Sequence, residues 1–167
     1  MPTPAYMKIT GAKQGDISAG ASSTTSIGAL SQKSHEDEII VQQLTTHVNV
    51  GTNVQTGQAA GVRQHKPVVF TKYMDRSSPL LWWAICNGEQ LTIELYFRRT
   101  NPSGRAELYY IMKWSECVLV DGKAHFPMAL RTENDGISHL EDWSFVYKKV
   151  EWTHTPDGVS GTDDWNS

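Results

Sequence analysis

Between Leu91 and Trp114 the chain alternates with period two on both sides of a turn, a pattern that commits the region to a β-hairpin. Leu91, Ile93, Leu95 and Phe97 take one parity, and Thr92, Glu94, Tyr96 and Arg98 take the other. Asn101-Pro102-Ser103-Gly104 follows, with Pro and Gly each supplying a backbone angle that a tight turn needs. Leu108, Tyr110, Met112 and Trp114 then alternate with Glu107, Tyr109, Ile111 and Lys113. A hairpin with arms this long needs a sheet around it. The alternation breaks at Ser115–Cys117, which predicts a bulge or bend in the second arm.

The flanking segments read as more strands separated by loops. Tyr6 to Thr10 is a first strand, and residues 15 to 34, rich in Gly, Ser, Ala and Thr, read as a long loop. His35 to Val50 is a second strand region, followed by another Gly-rich loop over residues 51 to 64. Residues 121 to 136 read as a loop. Ile137 to His154 reads as a last long strand, with Trp143, Phe145 and Tyr147 on one face and Val150 and Trp152 on the other parity. Such a switch of face near Lys148 suits a strand bending around a closing sheet. The tail from Thr155 is turn-forming and acidic.

One segment departs from the β pattern. From His65 to Gly88 a β-branched and aromatic run, Val68, Val69, Phe70, Thr71 and Tyr73, leads straight into helix signals. Ser78 suits an N-cap, Pro79 the first helical position, and Gly88 a left-handed stop. Leu80, Leu81, Trp83 and Ala84 would form the apolar face. The expected fold is therefore mainly β: a small antiparallel barrel or sandwich, one short helix at about residues 78–87, and two long Gly-rich loops. At 167 residues a single domain over 1–167 is expected.

Composition narrows the chemistry. A net charge of −3 argues against nucleic-acid binding, and no apolar run is long enough to enter a membrane. The N-terminal residues lack the pattern of a secretory signal. Cys86 and Cys117 are expected to be largely buried, inert thiols. His35-Glu36-Asp37-Glu38 and His139 with Glu141 and Asp142 place imidazoles beside carboxylates, yet the strand period turns Asp142 away from His139 and Glu141. They read as surface charge rather than a cupin-like metal site. Ser77-Ser78 has no nucleophile elbow around it, and phosphate-cradling and Cys-x2-Cys motifs are missing from the sequence. No enzyme and no cofactor are expected. Trp114 and Trp143 alternate with polar residues and read as core, whereas Trp82 and Trp83 are adjacent on the helix, so one must face outward.

The run Phe70-Thr71-Lys72-Tyr73-Met74-Asp75, followed by Ser77-Ser78-Pro79-Leu80, resembles the strand–helix signature of the haemolysin-coregulated protein (Hcp) family, the tube subunits of bacterial type VI secretion. The resemblance extends to Met1-Pro2-Thr3-Pro4-Ala5-Tyr6-Met7, His35-Glu36-Asp37, His65-Lys66-Pro67-Val68-Val69 and His139-Leu140-Glu141-Asp142. It runs on through Lys149, Trp152, Thr153 and His154 to Ser160-Gly161-Thr162-Asp163-Asp164-Trp165. It implies a barrel of two sheets with a lateral helix, joined in hexameric rings that stack head to tail into a hollow tube. Sheath contraction would expel the tube, so the protein would leave the bacterial cytoplasm without a signal peptide. Its partners would be other copies, the sheath and spike proteins, and small effectors held and stabilised in the lumen.

Matching His35-Glu36-Asp37-Glu38 to the family's strand entry places Thr45 at the position implied to bind cargo, with Gln43 and His47 on the same parity. Ile17, Ser18, Ser26, Ile27 and Leu30 of the 15–34 loop, with Trp82 and Trp83, are expected at subunit or ring-stacking contacts. Trp82-Trp83-Ala84-Ile85-Cys86 is bulkier than the family pattern, and residues 121–136 match it poorly. The chain stops soon after Trp165, so a plain subunit without a toxin extension is expected. Two competing readings are a carbohydrate-binding β-barrel with exposed Trp and the cupin-type metalloenzyme.

Overall fold

The computed structural model describes residues 3–165. In chain order the strands are β1 (Ala5–Gly11), β2 (Gly15–Asp16), β3 (Ile39–Thr45), β4 (Val48–Thr52), β5 (Ala59–His65) and β6 (Val68–Tyr73). They continue as β7 (Leu91–Thr100), β8 (Ala106–His125), β9 (Leu140–Val146), β10 (Lys149–His154) and β11 (Val159–Asp164). Helix α1 (Thr24–Ile27) is a single turn, and α2 (Ser78–Asn87) is the ten-residue helix that the capping signals predict.

The β7–β8 hairpin organises the rest. Ile93 faces Trp114 and Leu95 faces Met112 across it, so the inward parity of both arms lines one core. Glu116 has φ 52°, and the register shifts opposite Leu91, which places the bulge where the alternation breaks. That bend lets one 20-residue strand serve two neighbourhoods: residues up to Cys117 pair with β7 and β10, and residues from Val118 to His125 pair with β9. The strand order β8-β7-β1-β3-β6-β9 returns to β8, so the sheet is ring-like. Strands β10 and β11 extend it outward from the first half of β8. Met7, Ile9, Phe70, Leu95, Trp114, Trp143 and Phe145 fill the interior, and both tryptophans expected in the core are completely buried there.

Several expectations need correction. Residues 51–64 are not a loop: β4 and β5 form a separate two-stranded sheet, an arm whose root closes with Lys66 N–H donating to His47 O at 2.9 Å. Residues 121–136 begin as strand, because β8 runs on to His125. The acidic tail becomes β11. The 137–154 region is two strands, β9 and β10, with different partners, and the face switch falls at their junction near Lys148. The 15–34 segment is tied to its own domain: Ile17 N–H donates to Ile9 O at 3.0 Å, Ser22 N–H to Glu36 O at 2.9 Å, and Ile17 and Ala21 are fully buried. Cys117 is buried, with burial pushing its thiol far up, but Cys86 is exposed.

The helix start also differs from expectation. Ser77, not Ser78, stands before the first turn; Pro79 keeps its place there, and Gly88 makes the left-handed stop at φ 61°. Leu81 and Ala84 are buried, while Leu80 and Trp83 face outward and Trp82 packs inward on Trp143 at 4.6 Å between ring centroids.

Candidate functional site

The strand–helix signature encloses a buried polar knot. Lys72 lies on the inward parity of β6 with Val68 and Phe70, and its side chain is 0% exposed. Its ammonium donates to Tyr73 O at 2.8 Å, Ser78 Oγ at 2.9 Å and Glu141 Oε2 at 3.1 Å, and pairs with Asp75 Oδ1 at 3.1 Å. Ser78 Oγ accepts the Asp75 N–H at 3.0 Å and passes its own proton to Glu141 Oε2 at 2.9 Å. Asp75 in turn receives the Ser77 N–H at 2.8 Å and the Ser77 hydroxyl. Trp143 and Trp82 complete the cage with N–H donors to Glu141 at 3.1 and 3.4 Å. Each ion is thus paired and hydrogen-bonded, the condition under which buried charge is tolerated.

Signature residues Phe70, Lys72, Asp75, Ser77 and Ser78 therefore hold the helix against the sheet, Thr71 bonds Asp142 on the outer face, and Pro79 is the second residue of the first turn. The expectation that Glu141 is surface charge is overturned, since it is 2% exposed and is the carboxylate at the centre of the knot. The signal was available: Lys72 and Glu141 both sit on inward parities among apolar residues. His139 lies apart from it, with its ring against Phe126. His35 stacks on Tyr6 and pairs with Glu38 at 3.2 Å, while Asp37 accepts the Gly20 N–H. Neither His–carboxylate run converges as a set of metal ligands would.

The outer face of β3, β6 and β9 is polar. Gln43, Thr45 and His47 are all exposed. The register aligns Gln43 with Thr71 and Asp142, and Thr45 with Val69 and Ser144. Asp142 also accepts His125 Nε2 at 2.9 Å, so a row of polar groups crosses four strands.

At the root of the arm a second node joins it to the last strand. His65 has a side chain 1% exposed, and its Nε2 lies 2.7 Å from Asp163 Oδ2 and its Nδ1 2.7 Å from Tyr147 Oη. Burial pushes the Tyr147 phenol up to about 12, and because the Asp163 carboxylate can only accept, the bond to it is donated by Nε2–H. Arg63 Nε donates to Asp163 at 2.6 Å, and with His65 beside it holds that carboxyl below the usual range. Trp165 stacks on His65. Sequence reasoning missed this latch because it read both the arm and the tail as loops.

The expected contact residues divide. Ile17 and Ser18 are fully buried in the chain itself, so they present nothing to a neighbour. Ser26 and Ile27 are half-buried, Leu30 is 46% exposed, and Ser26 Oγ accepts the Arg76 N–H at 2.8 Å. Trp83 is 45% exposed and is the one outward tryptophan among the described residues, so no multi-ring platform for a sugar is assembled.

Comparison with known proteins decides the family. A model described as type VI secretion system effector, Hcp, matches residues 6–154. The chain belongs to the Hcp family. The Hcp resemblance carried by Phe70–Asp75 and Ser77–Leu80 falls inside the matched span, whereas Met1-Pro2 of the opening motif lies outside the described residues. The "Major exported protein" of Pseudomonas aeruginosa is 45% identical over 168 residues, covering 100% of this chain and 98% of that protein. A crystal structure of an Hcp protein superposes with a TM-score of 0.93 at 40% identity, covering 98% of each chain. Secreted protein Hcp3 from Pseudomonas aeruginosa gives 0.81 at 42%, covering 97% of this chain and 99% of that one. This Hcp chain is a type VI secretion protein of mainly β fold, and its structural relatives share that architecture.

Proposed function

We propose that this chain is a tube subunit whose copies close into a hexameric ring, stack head to tail, and are expelled by sheath contraction. The observation that carries the reading is the β4–β5 arm. It forms its own two-stranded sheet and exposes Val48, Val50, Val54 and Val62. An isolated two-stranded hairpin is marginal in water, and exposed apolar surface on a monomer is a mark of an interface. Assembly elements of this kind are what a protein built to bind copies of itself carries. The arm thus takes over the stacking role expected of the 15–34 loop, of which Ser26, Ile27 and Leu30 remain accessible contact candidates, together with Trp83 on α2.

Gln43, Thr45 and His47, exposed on a polar sheet face, are the positions proposed to meet small effectors in a water-filled lumen. The spike and sheath would be further partners, and export would use the type VI apparatus without a signal peptide. No catalytic role is proposed, since Ser78 and Glu141 are consumed by the knot beneath the helix. The test is native mass by light scattering after size exclusion, then electron microscopy. A six-subunit mass with stacked rings supports the reading; a monomer at every concentration, with binding to oligosaccharide, would replace it with the lectin-like alternative.

A further inference from the structure

The β4–β5 arm stands clear of the barrel. In β5 every residue from Ala59 to Gln64 is exposed, and in β4 only Asn49 is half-buried. The backbone closes the root, where Lys66 N–H donates to His47 O at 2.9 Å. Between Val48 and His65 the chain has a single Lys, Arg, Asp or Glu, Arg63. Among the described residues, the side-chain hydrogen bonds and ring contacts that leave the arm come from Arg63 and His65. All of them end on Tyr147 or on Asp163, Asp164 and Trp165.

The tail is the other half of that contact. Strand β11 is the outer edge of the sheet, paired with β10 alone, and Val159 to Thr162 are exposed. Its last residues are placed differently. Asp163 faces Val150, Val150 faces Trp114 and Trp114 faces Ile93, so the register carries a row of core residues out to this carboxylate. Trp165 then fastens the end of the strand to the β9–β10 junction. Its backbone N–H donates to Lys148 O at 3.2 Å and its Nε1–H to Tyr147 O at 2.7 Å. The ring lies against His65 with 5.3 Å between centroids. The tail thus bridges the junction and the arm. An edge strand with one neighbour and an exposed outer half opens at a lower free energy than the core does.

We infer that β11 with Trp165 is a catch that sets the direction in which the arm leaves the domain, and that undocking of this tail frees the arm. The inference concerns the single chain and stands apart from the tube reading. With the tail docked, Asp163 accepts from Arg63 Nε at 2.6 Å and from His65 Nε2 at 2.7 Å, and the Trp165 ring closes over an imidazole whose side chain is 1% exposed. With the tail undocked, both donors lose their acceptor and the imidazole opens to water. Only the backbone bond at the root and the Tyr147 hydroxyl, 2.7 Å from His65 Nδ1, then remain. Because both faces of the arm meet water, this node decides its direction. Coupling of this kind is reciprocal. A partner that fixes the arm also holds β11 in place, and whatever draws β11 away loosens the arm.

Hydrogen exchange of the full chain, read by mass spectrometry on samples of equal native mass, tests the catch. Asp163→Asn and Trp165→Ala, both in the tail, should raise exchange of the 48–65 amides several-fold. Arg63→Ala, in the arm, should do the same to the 159–165 amides. Peptides from β1 and β7 should change far less, and Trp165→Phe, which keeps a ring against His65, should leave the arm close to the parent rate. Arm exchange unchanged in both tail variants overturns the inference. So does a rise of equal size in β1 and β7, since the contacts would then serve general stability. The native mass of the same samples tests the tube reading separately. A six-subunit mass with unchanged arm exchange sinks the catch alone; a monomeric mass at every concentration with raised arm exchange supports the catch and sinks the tube reading.

Discussion

Lys72 and Glu141, 69 positions apart in the chain, form an ion pair at 3.1 Å in which neither side chain is more than 2% exposed. The pair joins β6 to β9 directly beneath α2, and Ser78 and Trp82 reach it from the helix. The knot therefore ties the helix to both strands.

Lys72→Met should destabilise the protein by about 3–5 kcal/mol, because Glu141 is left as a buried charge without its partner. Combining it with Glu141→Gln should recover part of that loss, since coupled sites are not additive. Urea unfolding of the two singles and the double measures this. Simple additivity would show that the two charges do not depend on each other.

The two helix tryptophans should separate cleanly. Trp82→Ala removes a ring packed on Trp143 and should cost about 3 kcal/mol. Trp83→Ala should stay within about 0.5 kcal/mol, as exposed substitutions do. If Trp83 is a subunit contact, its loss shows instead as a lower native mass in light scattering. An unchanged mass would remove Trp83 from the interface.

Gly122 sits in β8 with the Trp143 ring over it, and a Cβ there would meet ring atom Cζ3 at 2.5 Å. The ring cannot slide away, since its N–H is held by Glu141. Gly122→Ala should cost about 1–3 kcal/mol through overpacking and alter the near-ultraviolet dichroism of the tryptophans. A variant as stable as the parent would mean that the ring is free to move.

The arm latch should respond to acid. Asp163 is held below the usual carboxylate range, first by the hydrogen bond from Arg63. Its contribution to stability is therefore fully present above the ordinary carboxylate value and is lost as pH falls through the lowered one. Asp163→Asn should lower the melting temperature at neutral pH, with the gap to the parent narrowing on acidification. A gap that stays constant down to low pH would remove Asp163 from the latch. Protease sensitivity of the arm should rise in the variant.

What could be read from the sequence follows from how local each signal is. The β7–β8 alternation, the break at Glu116 and helix Ser78–Asn87 were all legible because period, turn residues and stop signals lie within a few positions of one another. The arm was not. Both of its faces meet solvent, so beyond Val48-Asn49-Val50, which fell at the end of the expected strand region, the arm carries no alternation to find. The 15–34 segment looked too polar to pack, yet Ile17 and Ala21 suffice because backbone bonds to Ile9 and Glu36 bring them to the core.

By itself the sequence determined the mainly β fold, the place of its one substantial helix and the family signature, since each is written in neighbouring residues. Tertiary structure alone decided which charges are paired, which tryptophan faces out and where the apolar surfaces stand. Lys72 meets Glu141, and His65 meets Asp163, across strands far apart in the chain. Strand parity turns Lys72 and Glu141 inward, but which partner each charge meets depends on that pairing, and no local pattern records it.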